Sequence, residues 1–382
     1  MSEPETDERP EGARDSRQWE WLIVPVAAYF ASRLVTLAAA YAVRFVVPGF
    51  GVVSVMTRKW DATWYLSVAE HGYPADLPTG VGNAGQSAHG FFPLFPLLTR
   101  LVAELPGVSL PVAAVLVNTL AGLLATILLW RLVTAVFDRV VADRSVFLFC
   151  FFVGSYAFTF AYTEGVFLAC AAGCLLLLHH QRWWWAAVVG GIGSASRPTG
   201  YVFAVTCAVA VFLHWRETRD WKPLASPLLA ASGLVAFHVY LHLRTGDAFA
   251  WQRVQERGWG QRTDWGISTA RRVGNYLLHP NHDLNLLVPV LSVLVILPLA
   301  WLLLRARPPV PWVVFAAFTL APGLVAVSVA LTPRHLFAAF PLLVGAAVAL
   351  SDENLYRLTL AVSAGVLAVL MFVTGGTVSL TP

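Results

Sequence analysis

"SLPVAAVLVNTLAGLLATILLWRLVTAV", residues Ser109 to Val136, carries one charged side chain, Arg131. A membrane helix needs about 20 mostly apolar residues, and this run exceeds that. Its apolar positions are continuous and do not alternate as the strands of a lipid-facing barrel do, so the segment reads as a helix. Segments of the same kind lie at about 21–47, 145–162, 165–181, 184–196, 200–215, 224–243, 284–304, 311–331, 334–350 and 357–374, giving roughly eleven spans in all. Composition agrees: 57% of the 382 residues are hydrophobic and 13% charged, with mean hydropathy +0.65. A soluble domain carries about 25% charged residues. The expected class is an all-α polytopic membrane protein, with 21–382 as one transmembrane domain.

Two polar intervals, 48–108 and 244–283, interrupt the apolar runs, and the first 20 residues read as a disordered tail before an uncleaved signal-anchor helix. The formal charge of +4 is small and the basic residues are dispersed, which excludes nucleic acid as a partner. Cys150, Cys170, Cys174 and Cys207 fall in apolar runs without metal-ligand spacing, so they read as packing residues. No metal site or cofactor is expected. Short-loop basic residues set orientation. With the N-terminus inside, Arg131, Arg139, Arg144, Arg182, Arg216, Arg219, Lys222, Arg305, Arg307 and Arg357 are cytoplasmic, and the C-terminus "GGTVSLTP" lies outside. "KWDATWY", "FFPLFP", "YTEG", "SRPTG", "GDAFAWQ" and "TPRH" then share the opposite, outer face. Polar clusters collected on one face of a bundle point to a single site.

Within "TRKWDATWYLSVAEHGYP" (57–74), Asp61 lies among Trp60, Trp64 and Tyr65 at helical spacing. A carboxylate there suits proton abstraction from a hydroxyl; its bland alternative is a salt bridge to Arg58 or Lys59, within an interfacial belt. Glu164 in "YTEG" is either a helix-terminus acid favoured by the dipole or a group that holds a sugar hydroxyl or orients a basic group in the site. Arg197 and Arg334, the latter beside His335, are the basic residues of their short outer turns. Guanidinium groups match phosphate bidentately, whereas interface snorkelling is the simpler role. "SRPTG" is expected to be a cavity-lining turn. In 246–266, Trp251 and Gln252 offer a stacking and polar surface for a sugar, on what is more simply an amphipathic interfacial helix. Phe91, Phe92 and Phe95 of "HGFFPLFPLL" read as packing or lipid-tail surface. P-loop, dinucleotide-binding and D-x-D patterns are absent, so a donor carrying one phosphate on a lipid fits better than a sugar nucleotide.

The order of "RKWDATWYLSVAEHGYP", "GFFPLFPLL", "YTEGVF", "SRPTG" and "TPRHLFAAFPLL" resembles the PIG-V-like mannosyltransferases, relatives of GPI mannosyltransferase II within the GT-C class of polytopic glycosyltransferases. The resemblance runs over about 57–345. It implies a GT-C type bundle with outer amphipathic loop helices, and transfer of mannose from a polyprenyl- or dolichyl-phosphate donor to a hydroxyl, with inversion. Asp61 matches the family's outer-loop catalytic acid. Departures are Trp64 and Tyr65, near which the family often has His, and Pro198 and Thr199, where it often has Asn. The reading that follows makes Asp61 the base, Arg197 and Arg334 the phosphate ligands, Glu164 and Trp251 sugar ligands, Trp60, Trp64, Tyr65, Gln252 and His335 further substrate-binding residues, and Phe91, Phe92 and Phe95 the tail surface. Expected partners are membrane lipids, the polyprenyl-phosphate sugar and an acceptor of unspecified kind, at the outer face of the plasma membrane. The competing class is a transporter or flippase for a lipid-linked sugar. Against it stand the collection of polar groups on one face and the lack of matching halves.

Overall fold

A computed structural model of the chain describes residues 12–376, apart from 48, 50 and 329. Every regular element among them is helical; one isolated bridge joins Thr263 and Ala326. The chain opens with α1 (Gly12–Val43), α2 (Val52–Thr57), α3 (Asp61–His71), α4 (Leu94–Ala103) and α5 (Leu110–Val136). There follow α6 (Arg139–Phe151), α7 (Glu164–His179), α8 (Trp183–Ser194), α9 (Tyr201–Thr218), α10 (Ser226–Ala230) and α11 (Ser232–Thr245). The second polar interval holds α12 (Ala250–Trp259) and α13 (Ile267–Leu278). Last come α14 (Leu284–Arg305), α15 (Val310–Val325), α16 (Pro333–Ala338), α17 (Pro341–Ala349) and α18 (Glu353–Gly376).

Each apolar segment read from the sequence is helical, but three are broken. Segment 145–162 divides into the end of α6 and a 3₁₀ turn over Val153–Phe158, segment 224–243 into α10 and α11, and segment 334–350 into α16 and α17. Pro341 explains the last break, since it lacks an N–H and starts α17 at a position where none is needed. By length and composition, five helical stretches can cross a membrane unaided: Glu20–Val43, Leu110–Val136, Pro198–Thr218, Leu284–Arg305 and Glu353–Gly376. The tail boundary also moves, because α1 already begins at Gly12 and not after residue 20. Residues 1–11 and most of the C-terminal "GGTVSLTP" lie outside the described residues.

Lipid gives helices no hydrophobic reason to associate, so close packing, small residues and interhelical hydrogen bonds must hold the bundle. The α5–α7 pair shows how. A Cβ at Gly165 would strike the Asn118 side-chain oxygen, so only glycine lets the start of α7 lie against α5. Asn118 uses that approach: its Oδ1 accepts from Gly165 N at 2.8 Å, while Nδ2 donates to the carbonyls of Ala157 (2.8 Å) and Phe160 (2.6 Å). Phe149, Phe158 and Phe337, ring centroids 4.6–5.6 Å apart, fill the space between α6, the 3₁₀ turn and α16. Gly154 of that turn sits so close to Pro333 that a Cβ would collide with its carbonyl, which seats α16 on the turn.

Arg33, in the middle of α1, is a charge that the sequence reading passed over. It is buried and donates to Ser155 O (2.8 Å), Ser155 Oγ (3.1 Å), Thr159 Oγ1 (2.8 Å) and Cys150 O (3.3 Å). Its guanidinium also lies over the rings of Tyr29 and Phe158. A charge at membrane depth is expensive unless its donors are met. Here they are met by the turn leading into "YTEG", so α1 fixes the approach to Glu164.

The 246–266 stretch forms the amphipathic helix expected of it. Along α12, Ala250, Val254 and Gly258 are buried at a four-residue spacing, while Gln252, Arg253, Glu256 and Arg257 are exposed.

Candidate active site

Asp61 is the first residue of α3, and Trp60 before it has φ 49 and ψ −129. That backbone is a genuine outlier for a bulky side chain, of a kind costing about 1–3 kcal/mol and kept only where surroundings enforce it. The indole is held edge-on to Phe160 at 6.2 Å, with Lys59 Nζ 5.5 Å from its centroid. The strained turn sets the Asp61 carboxylate at the positive end of α3, as the dipole favours.

Its partner comes from 273 residues away: Arg334 Nη1 donates to Asp61 Oδ2 at 2.7 Å. The bland salt bridge to Arg58 or Lys59 is therefore replaced, and Lys59 Nζ instead donates to Gly375 O. Arg334 stands in the first turn of α16, its guanidinium 5.3 Å from the centre of the Tyr162 ring. The helix start beneath it is a capping box. His335 Nδ1 accepts from Thr332 N at 3.1 Å, and Thr332 Oγ1 lies 2.9 Å from the same nitrogen. His335 thus serves Arg334 by fixing this turn.

A second ion pair lies deeper. Glu164 begins α7 and is 1% exposed; Arg197 Nη1 approaches its Oε1 at 3.3 Å and is itself 10% exposed. Arg197 precedes Pro198 in extended conformation, and its guanidinium lies over Phe167 at 5.2 Å. A buried pair of this kind is not a snorkelling arginine. Asn118, which holds the start of α7, stands eight residues into α5, about 12 Å along that helix at 1.5 Å per residue. Asp61, Glu164, Arg197 and Arg334 thus converge from four segments, and their formal charges cancel. Tyr65 feels Asp61, Glu164 and Arg197, and Tyr162 feels Asp61, Arg334 and Glu164, so both phenols border the group.

The remaining expected residues take other places. Trp64 stacks on Phe91 at 5.6 Å and meets Trp259 edge-on at 6.0 Å, forming a wall beside the charged group. Phe92 and Phe95 are 1% and 0% exposed, and Phe91 is buried between Trp64 and Tyr65. Their lipid-tail role is corrected on that ground: rings enclosed by protein have no face left for an isoprenoid, and they are core. Trp251 spends its indole N–H on Gly90 O at 3.2 Å, and Gln255 Nε2 reaches the same carbonyl at 3.1 Å. Gln252, one turn earlier, is exposed on the outer face of α12. Neither Trp251 nor Gln252 joins the charged group. Three contributors were missed: Asn118, Arg33 and Tyr162. A lone charge in a span was the available signal for Arg33, whereas nothing local marks Asn118.

Residues 88–243 match the family model described as dolichyl-phosphate-mannose-protein mannosyltransferase. A 177-residue stretch is 29% identical to the GPI mannosyltransferase pigv-1 of Caenorhabditis elegans, covering 40% of this chain and 25% of that protein. Over these stretches the chain is similar to mannosyltransferases. It spans about a quarter of the length of that curated relative. Its fold resembles ArnT from Cupriavidus metallidurans, solved bound to undecaprenyl phosphate, with TM-score 0.52 and 15% identity over 86% of this chain and 61% of that one. The apo oligosaccharyltransferase of Archaeoglobus fulgidus is similar at TM-score 0.51 and 15% identity, over 94% of this chain and 56% of that one. The family match includes Glu164 and Arg197 but neither Asp61 nor Arg334, whose association rests on the geometry alone.

Proposed function

We propose that the chain is an inverting glycosyltransferase that moves mannose from a polyprenyl-phosphate donor to a hydroxyl acceptor at the outer face of the membrane. The observation that carries this reading is the 2.7 Å contact between Asp61 and Arg334, a candidate base and a phosphate ligand brought together from opposite ends of the chain. The likeness to a curated mannosyltransferase, and to a fold solved with a lipid phosphate, supports the substrate class.

Charge balance explains the pairing. The donor's phosphodiester carries one negative charge; on cleavage of the sugar–phosphate bond, the leaving phosphate gains a second. The acceptor hydroxyl attacks the anomeric carbon, and its proton passes to Asp61, which loses its charge in the same event. Arg334 can therefore shift its hydrogen bond from the carboxylate to the phosphate while the net charge of the site stays constant. Fixed donors at a place where charge develops are commonly worth a few kcal/mol each. The guanidinium groups meet the phosphate, so no divalent metal is needed.

The test is Asp61→Asn in purified protein given polyprenyl-phosphate mannose and a panel of cell-envelope acceptors. Loss of a general base costs about 10²–10⁴-fold in rate. Near-normal turnover would remove Asp61 from the mechanism.

A further inference from the structure

Among the described residues, thirteen buried side-chain polar atoms have no hydrogen-bond partner. Four of these belong to charged groups, and all four lie in this site: both carboxylate oxygens of Glu164, Arg197 Nη1 and Arg334 Nε. The Tyr162 hydroxyl, also buried and unpartnered, is in the same group. The Glu164–Arg197 contact at 3.3 Å pairs the charges but leaves these hydrogen-bonding positions open. Leaving buried polar atoms unmet is costly, more so for charged ones.

The open positions divide by chemistry. Arg197 Nη1 and Arg334 Nε donate only, so a phosphate, which accepts, satisfies them. Glu164 accepts only, and no phosphate oxygen can satisfy it; a ligand bearing O–H groups can. A phenol both donates and accepts, as a sugar hydroxyl does. We infer that Tyr162 and Glu164 read the hydroxyl groups of the transferred sugar, Glu164 accepting from two of them and Tyr162 exchanging a hydrogen bond with one. Tyr162 is then a specificity-determining residue, positioned by its stack on Phe160 (5.4 Å) and by Arg334 over its face. The inference rests on the proposed sugar transfer, and it deepens that reading by dividing the site into a hydroxyl-reading half and a phosphate-binding half.

The experiment crosses protein variants with donor variants. Wild type, Tyr162→Phe and Glu164→Gln are each given a short-chain polyprenyl-phosphate mannose and its monodeoxy series, and kcat/KM is measured for every pair. On the parent donor, Tyr162→Phe should cost about 2–10-fold and Glu164→Gln about 10–100-fold, the ranges for neutral and charged hydrogen bonds. On one monodeoxy donor the Tyr162→Phe penalty should vanish, and Glu164→Gln should lose its penalty in part on two. A penalty equal across the series would show a structural role and overturn the inference, as would no penalty on the parent donor. Should Tyr162→Phe fail to fold, the Glu164→Gln half of the cycle decides the matter by the same criterion. Donor affinity, followed by ligand-induced thermal shift, separates the two readings. A deoxy-dependent pattern in binding without turnover would overturn the transferase reading and uphold the hydroxyl contacts; turnover with no such pattern would do the reverse.

Discussion

Arg197→Ala should destabilise the protein far more than Asp61→Asn, although both substitutions break an ion pair of the same site. The difference follows from burial. Glu164 is 1% exposed, so deleting Arg197 leaves a carboxylate without its paired guanidinium and with no hydrogen bond in a medium that solvates it poorly. Breaking a buried pair from one side typically costs about 3–5 kcal/mol, because the abandoned charge stays behind. For a chain of this size that corresponds to an apparent Tm lower by about 4–6 °C. Asp61 is 31% exposed and Arg334 18%, so solvent screens that pair and the discounted cost of breaking it is about 1 kcal/mol or less. The double variant Glu164→Gln with Arg197→Ala removes both charges and should recover part of the lost stability, without recovering transfer. Thermal unfolding in a mild detergent, on all four members of the cycle at one protein concentration, measures this. An Arg197→Ala protein as stable as wild type, or a double variant no better than the single, would refute the claim that the pair is desolvated and mutually compensating.

Acidification should destabilise the loop between α3 and α4 through His89. Burial, reinforced by the positive charge of Arg244 and opposed by the hydrogen bond to Pro74 O, holds its imidazole below the ordinary value of 6.5. The unfolded chain then binds the extra proton first, so stability is full above about pH 6.5 and falls as pH drops through that value. His89→Gln should flatten this part of a Tm-against-pH curve, and a Tm that rises on acidification would contradict it. Under the proposed mechanism transfer should persist in excess chelator, because Arg197 and Arg334 would take up the phosphate charge; complete loss restored by one metal would disprove this. Single cysteines at Ala75 and at Asp352, in a background lacking the four native ones, should label from opposite sides of the membrane with an impermeant thiol reagent. Labelling of both from one side would break the proposed orientation.

Sequence alone determined the class of the protein and much of the cast of its site. Apolar length, read in segments such as 109–136, is a local property, so helices fall where apolar segments were read, although three of those segments are broken and five helical stretches are long enough to cross a membrane. Asp61, Glu164, Arg197 and Arg334 were each conspicuous for the same reason, as charged groups close to apolar runs. Their partners were not local. Asp61 had Arg58 and Lys59 as sequence neighbours, yet it takes Arg334, because the strained Trp60 turn and the α16 capping box aim the two side chains at each other. Phe91, Phe92 and Phe95 had the composition of a lipid surface; only the packing of Trp64, Tyr65, Phe237 and Trp251 around them made them core. Asn118 and Arg33 work through hydrogen bonds to backbone groups 39–122 residues away. A contact of that kind leaves no periodicity or spacing in the sequence, because it depends on which helices lie side by side. That choice is made by close packing between small residues such as Gly165 and their neighbours, a property of pairs of surfaces and not of any one stretch of chain.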